Sequence, residues 1–150
     1  MSGSHQGSRG FEFLEHTSDV YVRAYGRDLA EAFEEAGKAL FSVLVRNAGA
    51  AERRREVEVT ARGYDRMSLL YDWLERLLLV FQLEKLVASD VRVKEISEES
   101  GELVIRGRAI GEDYDPEKHV PGIDVKAPTY WLMEVNETSD GVELKFVLDI

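Results

Sequence analysis

Residues 19–45 read DVYVRAYGRDLAEAFEEAGKALFSVLV, and the hydrophobic period changes in the middle of them. Up to Tyr25 the period is two: Val20, Val22 and Ala24 fall on one face and Tyr21, Arg23 and Tyr25 on the other, the pattern of a half-buried strand. Gly26 ends that pattern. Asp28 with Glu31 three residues on is a capping-box-like helix start, and Leu29, Phe33, Ala36, Leu40 and Leu44 then recur at three-to-four spacing to about Val45. A strand running across one glycine into an amphipathic helix predicts α and β elements that share one core.

Downstream, a loop around Asn47 and Gly49 leads to REVEVTAR, where Val57, Val59 and Ala61 oppose Glu56, Glu58 and Thr60 as in a second strand. Between Asp65 and about Leu83, Met67, Leu70, Leu74, Leu77 and Phe81 form one apolar stripe, which Leu69, Trp73, Leu78 and Val80 widen. This second helix is expected to be largely buried, with Trp73 and Phe81 in the core. The remaining third is β-structure. Val91 and Val93 alternate with charges, SEESG supplies a turn, and Leu103, Ile105 and Ala109 return as a hairpin partner. Residues 111 to 124 are loop by their Gly, Pro and Asp content; VKAPTYWLMEV and VELKFVLDI then flank an Asp140-Gly141 turn. The expected order is βαβαββββ: an α+β fold with a mixed or antiparallel sheet of about six strands and both helices on one face.

The chain has 150 residues, 44% of them hydrophobic, which suits one domain with a real core. We expect that domain to span residues 11–150, with 1–10, including His5, as a disordered tail or expression scar. A net charge of -10 disfavours broad gripping of phosphate backbones, so no strong direct nucleic-acid binding is expected. With no cysteine, thiolate chemistry and disulfides are excluded, and a reducing, cytoplasmic setting is expected. No apolar run approaches bilayer length, so no membrane partner is expected. Signatures of serine hydrolases, phosphate-binding loops, zinc proteases and deaminases are absent.

Three polar groupings stand out. His16, Thr17, Ser18 and Asp19 precede the first strand; turn chemistry accounts for such residues, and Asp19 could also serve as a carboxylate ligand or base beside His16. At the other end Asp149 stands next to Ile150, which adds a main-chain carboxylate where the chain ends there. That charge either frays into water or is compensated, by Lys and Arg or by a hard cation that prefers oxygen ligands. In KAPTY, Pro128 marks an edge strand or a bulge, able to re-aim Lys126, Thr129 and Tyr130. His119 lies in the long acidic loop with Asp113, Asp115 and Glu117, at no recognised metal spacing.

Taken in order, the His-Thr-Ser-Asp opening, the Asp28 to Val45 helix, the Leu-Leu-x-x-Trp-Leu pattern at Leu69 to Leu74, the loop ending in His119, the K-A-x-T-Y block at Lys126 to Tyr130 and the terminal Leu148-Asp149-Ile150 resemble the archease family from about Phe11 to Ile150. Pro128 stands where an aliphatic residue is usual, and Trp131 where histidine is frequent. The resemblance implies an activator of the tRNA-splicing RNA ligase rather than an enzyme. It would promote guanylylation and multiple turnover of that ligase, and would carry a divalent cation, calcium before magnesium or manganese, on Asp19, Asp149 and Ile150. His16, His119, Lys126, Thr129 and Tyr130 are candidates for supporting that site or touching the partner. Two other classes stay open: a chaperone-like interaction module with a structural cation, and a metal-dependent enzyme with Asp19 or His16 as base.

Overall fold

The computed structural model describes residues 8–16 and 18–150; of the tail assigned to residues 1–10, residues 1–7 lie outside the described residues, as does the turn reading of Thr17, while Gly10 already belongs to a strand. Seven strands and two helices follow one another as β1 (Gly10–Leu14), β2 (Val20–Gly26), α1 (Leu29–Leu44), β3 (Arg55–Gly63), α2 (Arg66–Glu84), β4 (Leu86–Glu99), β5 (Glu102–Asp113), β6 (Ala127–Thr138) and β7 (Gly141–Asp149). The α+β class and the antiparallel pairing hold. The strands differ from expectation in number and grouping: they form a four-stranded sheet, β1-β2-β7-β6, and a three-stranded one, β3-β5-β4. β1 is the added strand, pairing with β2 from Gly10↔Tyr25 to Leu14↔Tyr21.

The helices do not share one face of a single sheet. Each touches both sheets: α1 packs on β2 and β7 of the first and on β4 of the second, α2 on β3 and β5 of the second and on β6 of the first. That placement explains why α1 is buried on nearly every side, down to Glu34 and Glu35. Buried carboxylates need partners. Glu34 Oε1 accepts from Arg9 Nη2 at 2.6 Å, Glu34 Oε2 from the Val93 N–H of β4 at 2.9 Å, and Glu35 from Arg9 Nε at 2.6 Å. Trp73 on α2 is fully buried and donates its indole N–H to Phe33 O of α1 at 3.0 Å, so the helices are tied by a hydrogen bond as well as by packing. Phe81 is only part-buried, edge-on to Tyr114 at 6.2 Å.

Caps define the helix starts. Asp28 accepts from the Glu31 N–H, while the Glu31 carboxylate reaches back to Arg27 N; at α2, Asp65 and Ser68 form a reciprocal capping box. The α1 C-terminus is closed from elsewhere in the chain. β5 runs on to Asp113, past the expected loop start, and the loop that follows returns to α1. There Gly122 N donates to Leu44 O at 2.9 Å and Ile123 N to Val43 O at 2.8 Å, satisfying carbonyls that have no partner inside the helix. Gly122 is required by that approach: a Cβ there would lie 2.0 Å from Val43 O.

A carboxylate pole and an exposed bulge

β2 and β7 are antiparallel neighbours, and their ladder ends at Val20↔Leu148. Extending that register by one step matches Asp19, in the bend before β2, with Asp149, the last residue of β7. The chain then reaches Ile150, and the Lys126 N–H donates to Asp149 O at 2.7 Å, pinning the end of β7. Asp149 is exposed and Asp19 half-buried. Two side-chain carboxylates and, where the chain ends at Ile150, a terminal one make an all-oxygen donor set of the kind hard divalent cations take. Among the described residues no three His, Cys, Asp or Glu side chains are grouped as a metal cluster.

His16 stands beside this end of the sheet. Its Nδ1 is shielded from water, has no hydrogen-bond partner among the described residues, and lies 3.5 Å from Asp19 Oδ2, within ion-pair reach. Its ring sits edge-on to Tyr21 at 5.9 Å and to Trp131 at 5.2 Å. A cleft of about 340 Å³ is lined by Asp19 together with Phe13, Leu14, Val43, Arg46 and Ile123.

β6 is an edge strand with a bulge directly after Pro128. Between the pairs Thr129↔Val147 and Glu134↔Lys145, residues 130 to 133 stand against the single residue Phe146. Thr129 Oγ1 accepts from the Trp131 N–H at 3.1 Å and shapes the turn, and Leu132 adopts a left-handed φ of 60°. Met133 turns inward, while Tyr130, Trp131 and Leu132 are 50%, 53% and 39% exposed. Tyr130 stacks on Tyr71 of α2, with centroids 4.5 Å apart. Thr129 is thus a backbone-shaping residue, Tyr130 leans on α2, and Lys126 holds β7 through its main chain while its side chain is exposed.

His119 is built into a different cluster. Its ring is buried; Nδ1 accepts from the Asp115 N–H at 2.8 Å, and Nε2 lies 3.1 Å from Glu112 Oε2. With Nδ1 accepting, Nε2 carries the proton and donates to Glu112. Lys118 Nζ bonds Glu112 Oε1 at 2.8 Å and draws the carboxyl down to about 2, helped by the Glu52 N–H and by His119. Asn47 completes the clasp, accepting from Val120 N and donating to Lys118 O. No spacing in the sequence marks Glu112, Lys118 and Asn47 as partners of this histidine.

Seven strands in two antiparallel sheets, with two helices that each pack on both, define a small α+β protein. The family model described as "Archease protein family" matches residues 11–150, and the chain belongs to that family. Protein archease of Pyrococcus furiosus is 44% identical over 133 residues, 89% of this chain and 92% of that protein. In structure the chain is similar to Methanobacterium thermoautotrophicum protein 1598, with TM-score 0.78, 35% identity, and 94% and 99% of the two chains covered. It shares its fold with a Thermotoga maritima protein described as "an archease, possible chaperone", at TM-score 0.56 and 22% identity, over 91% and 94% of the two chains.

Proposed function

We propose that this chain is a non-catalytic activator of the tRNA-splicing RNA ligase, acting through the end of the β2-β7 ladder. The observation that carries the reading is the register that sets Asp19 opposite Asp149 with Ile150 adjacent. Family membership supports the partner. A divalent cation held by Asp19, Asp149 and the Ile150 carboxylate, calcium being the best fit to all-oxygen ligands, would cancel their mutual repulsion and fix the two strand ends relative to each other. Lys126 keeps β7 in place at that point, and His16 borders Asp19 at ion-pair distance. Docking this end at the ligase would help position the ligase's nucleotide for guanylyl transfer. The chain's net charge of -10 suits a basic, RNA-binding partner, because complementary fields speed encounter.

Reconstitution with the ligase tests the reading. Wild-type protein is expected to raise ligase guanylylation and convert single into multiple turnover, and Asp19→Ala and Asp149→Ala are expected to abolish both effects while keeping the wild-type melting temperature. Unchanged stimulation by both variants sinks the proposal. The exposed Tyr130, Trp131 and Leu132 favour a second reading, a chaperone-like interaction module with a structural cation. Under that reading metal removal lowers thermal stability, but stimulation returns once stability is restored by other means.

A further inference from the structure

β6 turns three consecutive large side chains outward at a left-handed residue. A leucine at φ 60° is strained, of order 1 kcal/mol, and exposed Trp and Tyr forgo burial; a strand that had only to complete the sheet needs neither. The surroundings are acidic. Tyr71, on which Tyr130 stacks, is followed one helical turn later by Glu75, and Asp65 caps the same helix. These carboxylates, with Asp72, push the Tyr130 hydroxyl upward after the larger effect of its burial. Two of the arginines nearby are paired, Arg76 with Asp72 and Arg66 with Glu137. On the other flank Trp131 leads through His16 to Asp19. Aromatic faces rimmed by carboxylates suit cations with apolar stems, since Arg and Lys lay their methylenes on apolar surface and their charge over a ring.

We infer that the Tyr130-Trp131-Leu132 bulge, with Glu75 beside it, is the docking surface for a basic segment of the partner protein, seating Arg or Lys side chains on the two rings. The inference rests on the activator reading for the partner's identity. Tyr and Trp at the centre of an interface, with polar residues around them, are the residues that carry most binding energy. Single-stranded RNA also stacks on aromatic rings, but its phosphates would meet the chain's net charge of -10.

The test is calorimetric binding of the full chain to the ligase. Trp131→Ala, Tyr130→Ala and Glu75→Lys should each weaken binding about tenfold, as expected for central interface residues, with calcium affinity and melting temperature unchanged. Glu58→Lys, on the exposed face of β3, should leave binding as it is. Added salt should weaken wild-type binding more than that of Glu75→Lys. Equal binding by the three bulge-side variants, with wild type still stimulating the ligase, overturns this inference and leaves the activator reading standing. A wild type that neither binds nor stimulates removes both. Trp73 is buried, so fluorescence quenching by a single-stranded RNA oligonucleotide reports on Trp131; quenching that competes with the ligase would also overturn the assignment.

Discussion

His119 and His16 each stand within 3.5 Å of a carboxylate, yet their surroundings differ in kind. Around His119 the hydrogen bonds close on one another: Nδ1 on Asp115, Nε2 on Glu112, Glu112 on Lys118 and the Glu52 amide. At His16 a shielded Nδ1 has no hydrogen-bond partner among the described residues, and Asp19 next to it lies one residue beyond the end of the β2-β7 ladder. A polar group whose task is to hold a loop satisfies itself, because each unmet buried donor or acceptor costs stability. The proposed activator site is built from the second kind of group, at a strand end rather than inside a closed network.

The largest effect expected from probing the closed cluster comes from the glycine it positions. Gly122→Ala drives a methyl group into Val43 O and should lift the loop off the α1 C-terminus, at about 3 kcal/mol by chemical denaturation. His119→Ala, which leaves the Asp115 N–H without its acceptor and a ring-sized void, should cost about 2 kcal/mol. Its counterpart His16→Ala should stay within about 0.5 kcal/mol of wild type in stability but reduce ligase stimulation. If the two alanine variants were equally destabilised, the contrast between the histidines would be lost.

Acid sharpens it further. The Glu112 carboxyl lies at about 2, below its ordinary 4.5, through Lys118 first. A depressed carboxyl contributes stability that is fully present above about 4.5 and disappears as the pH falls toward 2. Glu31, drawn to about 2 by Arg27, adds to the same window. The protection of the Glu52 amide against exchange, taken relative to its intrinsic rate at each pH, should therefore fall between pH 4.5 and 2, since its N–H donates to Glu112, and Glu112→Gln should flatten that dependence. The smallest effect is at the bulge: Leu132→Gly relieves the left-handed backbone and should stabilise by about 0.5 kcal/mol while weakening partner binding.

Much of this was legible in the residues because local period reports local structure. The alternation at Val20 to Tyr25, the stripe from Leu29 to Leu44 and the Asp140-Gly141 turn all became the elements they predict. Asp19 and Asp149 also stood out in the sequence, although turn chemistry and a fraying chain end account for each of them taken alone. What period cannot report is which strands adjoin, so the division into two sheets stayed hidden, as did an α1 buried from both sides. β1 was missed although Gly10 to Leu14 alternates, because the polar start of the chain gives it no flanking signal. Pro128 pointed to an edge or bulge, and both occur. That Trp131 would pack on His16 depends on the size of the bulge, which no single residue type announces.

Arg9 has a wider reach than its position at the margin of the fold suggests. It neutralises Glu34, whose other oxygen holds the main chain of β4, so one guanidinium near the first strand bears on an edge of the opposite sheet. A protease that clipped the chain just after Arg9 would leave β1 through β7 formally complete. Such trimmed molecules should nonetheless open first along β4, and limited proteolysis would read that loosening as new cleavage near Val93.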